Sequence, residues 1–239
     1  MFDIPDTYRT DVNVALKDFI PKDLKPGAKK RIKDAVKSVM LEFQIAGEEI
    51  PSVNSEDYRC QVIQFYNVEV TNIKDANFIA ATYQNLIKPL CVIHMFDTKD
   101  EVYSLAIKRL NQTDDRQIVV EQNLLTDKYM LGIPDSNRER LLAYMNYERL
   151  KNKTDKVQLY KEWFYKAYMI VHEKAYVHTD KLLDGNSWYD LDRTARICQK
   201  YVELVMSRGK LKTAVTNAER MKLNKEIKSE IQALDLEEV

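Results

Sequence analysis

The amino-acid sequence predicts an α+β fold, with a small mixed sheet and helices in the N-terminal half and a helical C-terminal half ending in a coiled-coil-like helix. Three observations support this prediction. Apolar residues alternate with period two in several segments before residue 134, follow helical spacing from Ser136 onward, and form a narrow seam in the charged C-terminal segment. We therefore divide the chain into an α+β domain (1–134), a helical region (135–208) and an amphipathic helix (209–239).

The first fifty residues are predicted to be mainly helical. Pro21, Pro26 and Gly27 interrupt the pattern and indicate a loop. After this loop the sequence reads AKKRIKDAVKSVMLEFQIA, with Lys and Arg on one face. We expect an amphipathic helix here, because apolar residues recur at helical spacing: Ile32, Val36, Val39 or Met40, and Phe43.

The middle of the chain predicts a strand, a helix, a second strand and a hairpin. The first strand is YRCQVIQFYNVEV, which is apolar on one face and partly apolar on the other, as in a strand well inside a sheet. A helix follows, with Asp75 as its N-cap and Pro89 ending it. The strands CVIHMFD and VYSLAIKRL come next, joined by the polar turn TKDE, and RQIVVEQNLL is a weaker further strand.

The C-terminal half lacks strand alternation and ends in a charged segment with an apolar seam. SNRERLLAYMNYERL, DKVQLYKEWFYKAYMIVHEKAYVH and WYDLDRTARICQKYVELVMSR all have helical spacing. In the final helix, steps of three and four residues align the seam Leu223, Ile227, Ile231 and Leu234. A lone helix of this size is marginal in water, so we expect it to dock on its own helical half, on a second copy or on another subunit. The seam is thus the predicted partner-binding site.

Composition excludes several function classes. The chain is 45% hydrophobic and 31% charged, which is enough apolar material for a core, and its formal net charge is +0. That balance argues against a generally basic nucleic-acid binder but allows a local basic patch. With only five glycines and no glycine-rich phosphate motif, no nucleotide cofactor is expected.

Cysteine usage and hydropathy indicate a cytoplasmic protein. Cys60, Cys91 and Cys198 form no short pair motif, so we expect buried free thiols in a reducing compartment. The acidic, polar N-terminus does not read as a signal peptide. No stretch approaches the roughly 18 apolar residues that a membrane span needs, so no membrane contact is expected.

Few residues suggest catalysis. His94 lies in an apolar strand and is interpreted as a hydrogen-bonded sheet histidine. His172 and His178 are six residues apart on a helical segment, so they do not share a helix face as two metal ligands four apart would. We predict no metal site and no catalytic residue.

A degenerate metal-dependent nuclease is the enzymatic alternative. Glu69 would be the strand carboxylate and Asp57 the earlier acid, as metal ligands of a restriction-type site. The signature is broken, because Thr71 stands where such a site needs lysine. A second alternative is a nucleic-acid-binding module, for which the candidate basic residues are Lys29, Lys30, Arg31, Lys33, Lys108 and Arg109.

Several of these stretches resemble a bacterial family, the domain of unknown function 4391. The resemblance rests on the block from CQVIQFYNVEV to the hairpin ending in Lys108 and Arg109, on the opening Phe19, Ile20, Pro21 and Lys22, and on the closing charged helix with Leu223 to Glu226. It implies an encoding context beside helicases and DNA methyltransferases in restriction- or defence-type loci, and it supplies no catalytic residues. We therefore expect a non-catalytic accessory subunit without cofactor, with a helicase or methyltransferase subunit as partner, homo-oligomerisation through the final helix as an alternative, and nucleic acid as a further candidate ligand.

Overall fold

The computed structural model describes residues 1–20, 24–114 and 117–237. Within these ranges the chain divides into two compact units, Met1–Phe164 and Tyr165–Val239. The predicted change from strands to helices at Ser136 is confirmed, whereas the division into units falls later, inside a helix. Pro21 and Lys22 of the family-like opening segment lie outside the described residues, and Phe19 and Ile20 are buried.

The first unit is built on a mixed sheet. Its strands are β1 (Arg9–Asn13), β2 (Val36–Ile45), β3 (Val53–Asn54), β4 (Arg59–Cys60), β5 (Ile63–Val70), β6 (Leu90–Phe96), β7 (Asp100–Leu110), β8 (Ile118–Leu125) and β9 (Tyr129–Met130). The main sheet has the order β1-β2-β5-β6-β7-β8, with β9 pairing β7, and β3 and β4 form a separate two-stranded ribbon.

Helices of the first unit are α1 (Leu16–Phe19), α2 (Pro26–Ala35), α3 (Ala76–Leu86), α4 (Ser136–Met145) and the start of α5 (Lys156–Val171). β5 and β6 are parallel and are connected through α3, whereas the other neighbouring strands of the main sheet are antiparallel. The predicted order of strand, helix, strand and hairpin is therefore confirmed, and with it the α+β class.

One predicted helix is wrong in its second half. α2 ends at Ala35, and the residues that follow it form β2 between β1 and β5. Val36, Val39, Phe43 and Ile45 are buried along this strand. Steps of three or four residues also suit a strand with bulges, and β2 has register shifts against β5 between Val36 and Ser38 and between Leu41 and Phe43. The apolar spacing from Val36 to Phe43 therefore reflects a bulged strand and not a helix.

Helices and loops cover both faces of the sheet. On one face, α3 buries Ile79, Ala80 and Tyr83 with strand residues such as Val68 and Ile93. Gln84 is fully buried and donates to the Ser104 carbonyl at 3.2 Å, so this polar side chain is satisfied.

On the other face, Trp163 of α5 packs edge-on against Phe65 of β5, with ring centroids 5.2 Å apart. α4 begins with Asp135 as N-cap, which accepts from the backbone N–H groups of Asn137 and Arg138. The unit therefore has three layers, and the helices that pack on the two faces of the sheet do not cover the ends of its strands.

The second unit contains the end of α5, α6 (Thr179–Asp184), α7 (Leu191–Thr213) and α8 (Asn217–Asp235). α7 and α8 form an antiparallel hairpin: Ser207 donates to Glu230 at 2.8 Å, and Lys200 donates to the Ala233 carbonyl at 3.2 Å. None of the helices in the described part of the chain is long and apolar enough to cross a membrane.

The seam of the final helix is covered within the chain. Leu223, Ile227 and Leu234 are buried and Ile231 is half-buried, in the hairpin with α7. The predicted partner-binding role of these four residues therefore lacks the exposed surface on which it depended. The physical reason is that α7 packs along α8, with apolar residues such as Ile197 and Leu204 buried in α7.

Candidate functional site

A polar cluster lies on the face of the sheet that α4 covers. The His94 ring on β6 places Nδ1 2.9 Å from Asn67 Oδ1 and Nε2 2.8 Å from Glu101 Oε2. The Asn67 amide nitrogen donates to Glu42 at 2.7 Å, which fixes its oxygen toward His94. Both ring nitrogens of His94 therefore lie within hydrogen-bond distance of a side-chain oxygen.

Glu101 is the buried centre of this cluster. Its side chain is 2% exposed, and its second oxygen accepts from the Arg138 guanidinium of α4. Burial alone would raise the pKa of this carboxyl, but hydrogen bonds from His94 and Arg138 outweigh burial and lower the pKa. The polar groups of this cluster are hydrogen-bonded to one another and connect β5, β6, β7 and α4. Such an arrangement is typical of a structural network.

The two carboxylates of the nuclease alternative lie at opposite ends of the sheet. The Asp57 carbonyl accepts from the backbone N–H of Leu110, at the edge where β5 begins. Glu69 lies six residues beyond Ile63 along β5, about 20 Å at about 3.3 Å per residue, and pairs with Lys37 at 3.0 Å. The structure does not bring these two acids together. Among the described residues, no group of three His, Cys, Asp or Glu side chains could hold a metal.

Lys108 and Arg109 are not a basic surface pair. Lys108 is 3% exposed, and its ammonium donates to the carbonyls of Ile87 at 2.8 Å and Pro89 at 3.1 Å. Burial lowers its pKa. Arg109 pairs with Glu121 at 2.8 Å. The prediction that Lys108 contacts nucleic acid is therefore wrong, because strand alternation turns this side chain into the unit.

The basic residues of α2 are closer to the predicted role. Lys30, Arg31 and Lys33 are exposed and Lys29 is half-buried. Arg31 is partly committed, because it donates to Asp75 at 2.7 Å and its guanidinium lies 4.2 Å from the centre of the Phe78 ring. Asp75 thus binds Arg31 instead of capping α3 with its side chain.

A groove lies where the parallel strands β5 and β6 end, beside the start of α3. It has a volume of about 410 Å³, and its lining includes Lys74, Lys99 and Lys128. Asn72 also lines a neighbouring pocket of about 340 Å³, to which α2 contributes Lys30 and Arg31. The carboxyl ends of parallel strands are where ligands bind in open α/β sheets.

Carboxylates in the groove are largely occupied by the protein. Asp97 accepts backbone N–H groups of Ile73, Lys99 and Asp100, and these bonds outweigh desolvation and lower its pKa. Asp100 pairs with Lys128 at 3.2 Å. In the described part of the chain, the ammonium groups of exposed Lys74 and Lys99 have no such carboxylate partner.

The groove lysines were not singled out from the sequence. Lys74, Lys99 and Lys128 come from three separate loops, so no local motif joins them. The available signal was the position of these residues. Lys74 follows the first predicted strand of this region and Lys99 follows the second, and a helix connects these two strands. The basic residues predicted from the sequence are instead close neighbours along the chain.

The remaining histidines and the cysteines have structural surroundings. His172 packs against Tyr168 and His178 against Tyr176, with centroid distances of 4.5 and 5.7 Å. The prediction of buried free thiols is confirmed for Cys60, Cys91 and Cys198. Burial raises the pKa of Cys60 to about 11, which keeps this thiol protonated.

Comparison with known proteins gives one informative match. No curated protein and no solved structure matches the chain significantly. The model of a domain of unknown function, DUF4391, matches residues 2–234 of the 239 residues. Because this match spans nearly the whole sequence, the chain belongs to the DUF4391 family.

Proposed function

We propose that this chain is a non-catalytic accessory subunit of a bacterial, cytoplasmic restriction- or defence-type system that includes a helicase or DNA methyltransferase, and that its groove binds phosphate groups of nucleic acid. The observation that carries the proposal is the groove at the ends of β5 and β6, with Lys74 and Lys99 uncompensated. The system itself is an expectation from the family resemblance.

The chemistry of the groove favours an anion. Lysine ammonium groups attract phosphate as point charges, and the N-terminus of α3 adds the positive end of a helix dipole. A concave site of this volume suits a ligand the size of a nucleotide segment. Lys30 and Arg31 of α2 extend the basic surface along the neighbouring pocket.

A binding role has better support than the nuclease alternative. Hydrolysis of a phosphodiester by metal-held water needs carboxylates that converge on one cation. Asp57 and Glu69 are separated by most of the sheet, and Glu69 is neutralised by Lys37. His94 and Glu101 are the polar groups that come nearest to a catalytic arrangement. They are hydrogen-bonded to each other, and Glu101 also pairs with Arg138.

Charge reversal in the groove tests the proposal. Lys74→Glu combined with Lys99→Glu should weaken binding of a fluorescent oligonucleotide, measured by anisotropy across a salt series. If both lysines contact phosphate, the slope of log affinity against log salt should fall by about 2. Single-stranded and duplex probes are compared, to establish which form of nucleic acid the groove binds.

A matched control is Lys17→Glu with Lys88→Glu, which introduces the same charge change at exposed lysines outside the groove lining. The control should bind like the unaltered protein after correction for a small general charge effect. Equal losses in both variants, or no oligonucleotide binding by the unaltered protein at low salt, would count against the groove as a phosphate site.

A further inference from the structure

The second unit carries its own concentration of positive charge, at the turn that joins α7 and α8. Residues 208–228 contain seven basic residues and two acidic ones, a net charge of +5 in a chain whose formal net charge is +0. The basic residues are Arg208, Lys210, Lys212, Arg220, Lys222, Lys225 and Lys228. We call this segment the basic tip.

Both acids of the basic tip have structural roles. Thr216 caps α8 by accepting from the Glu219 backbone N–H, and the Glu219 carboxylate accepts from the Val215 N–H at 3.3 Å. This pair resembles a capping box, except that the Glu219 carboxylate reaches the N–H one residue before the N-cap. Glu226 pairs with Lys222 at 3.8 Å. The two negative charges are therefore accounted for by local helix structure.

The remaining lysines face solvent without compensation. Lys210, Lys212, Lys225 and Lys228 are exposed, and within the described residues none has an acidic partner. Like charges held this close repel one another, so retaining them costs stability in the free chain. A surface of this kind gains most by meeting an extended array of negative charge.

Packing within the α7–α8 hairpin holds the backbone of the basic tip in place. Ala214, Leu223 and Ile227 are buried in the hairpin, and Arg220 donates to the Ala214 carbonyl at 3.1 Å. The basic part of α8, from Asn217 to Lys228, spans about 18 Å at about 1.5 Å per residue. That length covers several successive phosphates of a nucleic-acid strand.

The residue types distinguish between anionic partners. The tip contains no Phe, Tyr, Trp or His, so it offers no ring on which an unpaired base could stack. Five of its seven cations are lysine, a residue that is depleted in protein–protein interfaces and common in contacts to phosphate. Exposed Val215 and Met221 are the features that a protein partner would use instead.

We infer that the basic tip contacts the phosphate backbone of duplex nucleic acid without reading its sequence. The inference rests on the proposed function for the class of ligand and deepens it, because it assigns the duplex contact to a separate surface on the second unit. Binding through several lysines must weaken steeply with salt and depend little on base sequence.

The test uses the full-length chain with Lys210, Lys212 and Lys225 changed to Glu, and a fluorescent duplex as probe. Affinity should fall at least about tenfold at moderate salt, and the salt slope should decrease by about 1 for each lysine that contacts phosphate. The matched control is Lys17, Lys88 and Lys174 changed to Glu, all exposed and outside the tip and the groove. The corresponding Gln variant replaces the Glu variant if circular dichroism shows lost helix.

Failure of this inference is distinguishable from failure of the groove proposal. If the tip variant binds duplex like its control while Lys74→Glu with Lys99→Glu loses binding, the tip inference is overturned and the groove stands. Loss of duplex affinity in the tip variant alone supports the tip, and it counts against the groove if Lys74→Glu with Lys99→Glu also leaves the affinity for the single-stranded probe unchanged. Duplex affinity that does not respond to salt overturns the tip inference. A tip variant that keeps duplex affinity but loses a purified protein partner also overturns it, in favour of a protein contact.

Discussion

Glu101 is a buried carboxylate of the first unit whose charge is matched within its own cluster. It is almost fully buried, and it accepts from both His94 and Arg138. Removing one member of a buried ionic network leaves the others uncompensated, which costs more than the pair itself contributes. The cluster should therefore appear in experiments as a stability determinant.

Glu101→Gln should destabilise the protein by about 3 kcal/mol at neutral pH. Because the pKa of Glu101 is lowered in the folded state, its contribution is complete above the unfolded value of about 4.3 and is lost as the pH falls through the lowered value. The difference between unaltered protein and variant should thus shrink below about pH 4.3. Urea unfolding at a series of pH values measures it.

Glu121→Gln is the control for that experiment, since Glu121 pairs with Arg109 at a site where the glutamate side chain is 38% exposed. A surface pair of this kind contributes at most about 1 kcal/mol. A pH-independent loss in the Glu101 variant would show that the carboxylate charge is not what stabilises the cluster.

At the scale of elements, β2 and α8 show how apolar spacing depends on its neighbours. The same steps of three and four residues lie on a strand in β2 and on a helix in α8. Bulges in β2 shift the alternation, and pairing with β5 supplies hydrogen bonds that the isolated segment lacks. In α8, a charged opposite face and the N-cap at Thr216 favour helix.

Ile227→Asp tests how the final helix is held. A carboxylate at this buried position should destabilise the α7–α8 hairpin by about 3 kcal/mol, because Ile227 is 7% exposed. Hydrogen exchange should show loss of protection in α8, while light scattering should give the same molecular mass as the unaltered protein.

The comparison variant is Met221→Asp, at an α8 position that is 64% exposed. It should leave exchange protection close to that of the unaltered protein. If Ile227→Asp lowers the molecular mass yet keeps protection in α8, the seam joins two chains and does not close the hairpin within one.

At the scale of the whole molecule, a balanced charge conceals local asymmetry. The chain has 37 basic and 37 acidic residues, yet the basic tip alone carries +5 and the groove adds uncompensated lysines. Overall charge therefore governs solubility, whereas the local concentrations of charge determine which ligands can approach. Each compact unit contributes one such surface.

The accessory role makes a prediction about assembly. Affinity-tagged protein expressed in its native host should co-purify with a helicase or DNA methyltransferase subunit, identified by mass spectrometry after nuclease treatment. Treatment with nuclease separates direct contacts from bridging by nucleic acid. If neither class is enriched over a tag-only control, the assignment to a restriction- or defence-type system loses its support.

Local patterns in the sequence were enough to predict the α+β class, the order from β5 through α3 and β6 to β7, and the helical C-terminal half. These features depend on residues close in sequence, whose alternation and capping chemistry act locally. Tertiary structure alone decided that residues 36–45 are a strand, that Lys108 is buried, that three loops bring lysines into one groove, and that α7 covers the seam of α8. Each of these depends on packing between segments distant in sequence, where burial and hydrogen bonds outweigh local preference.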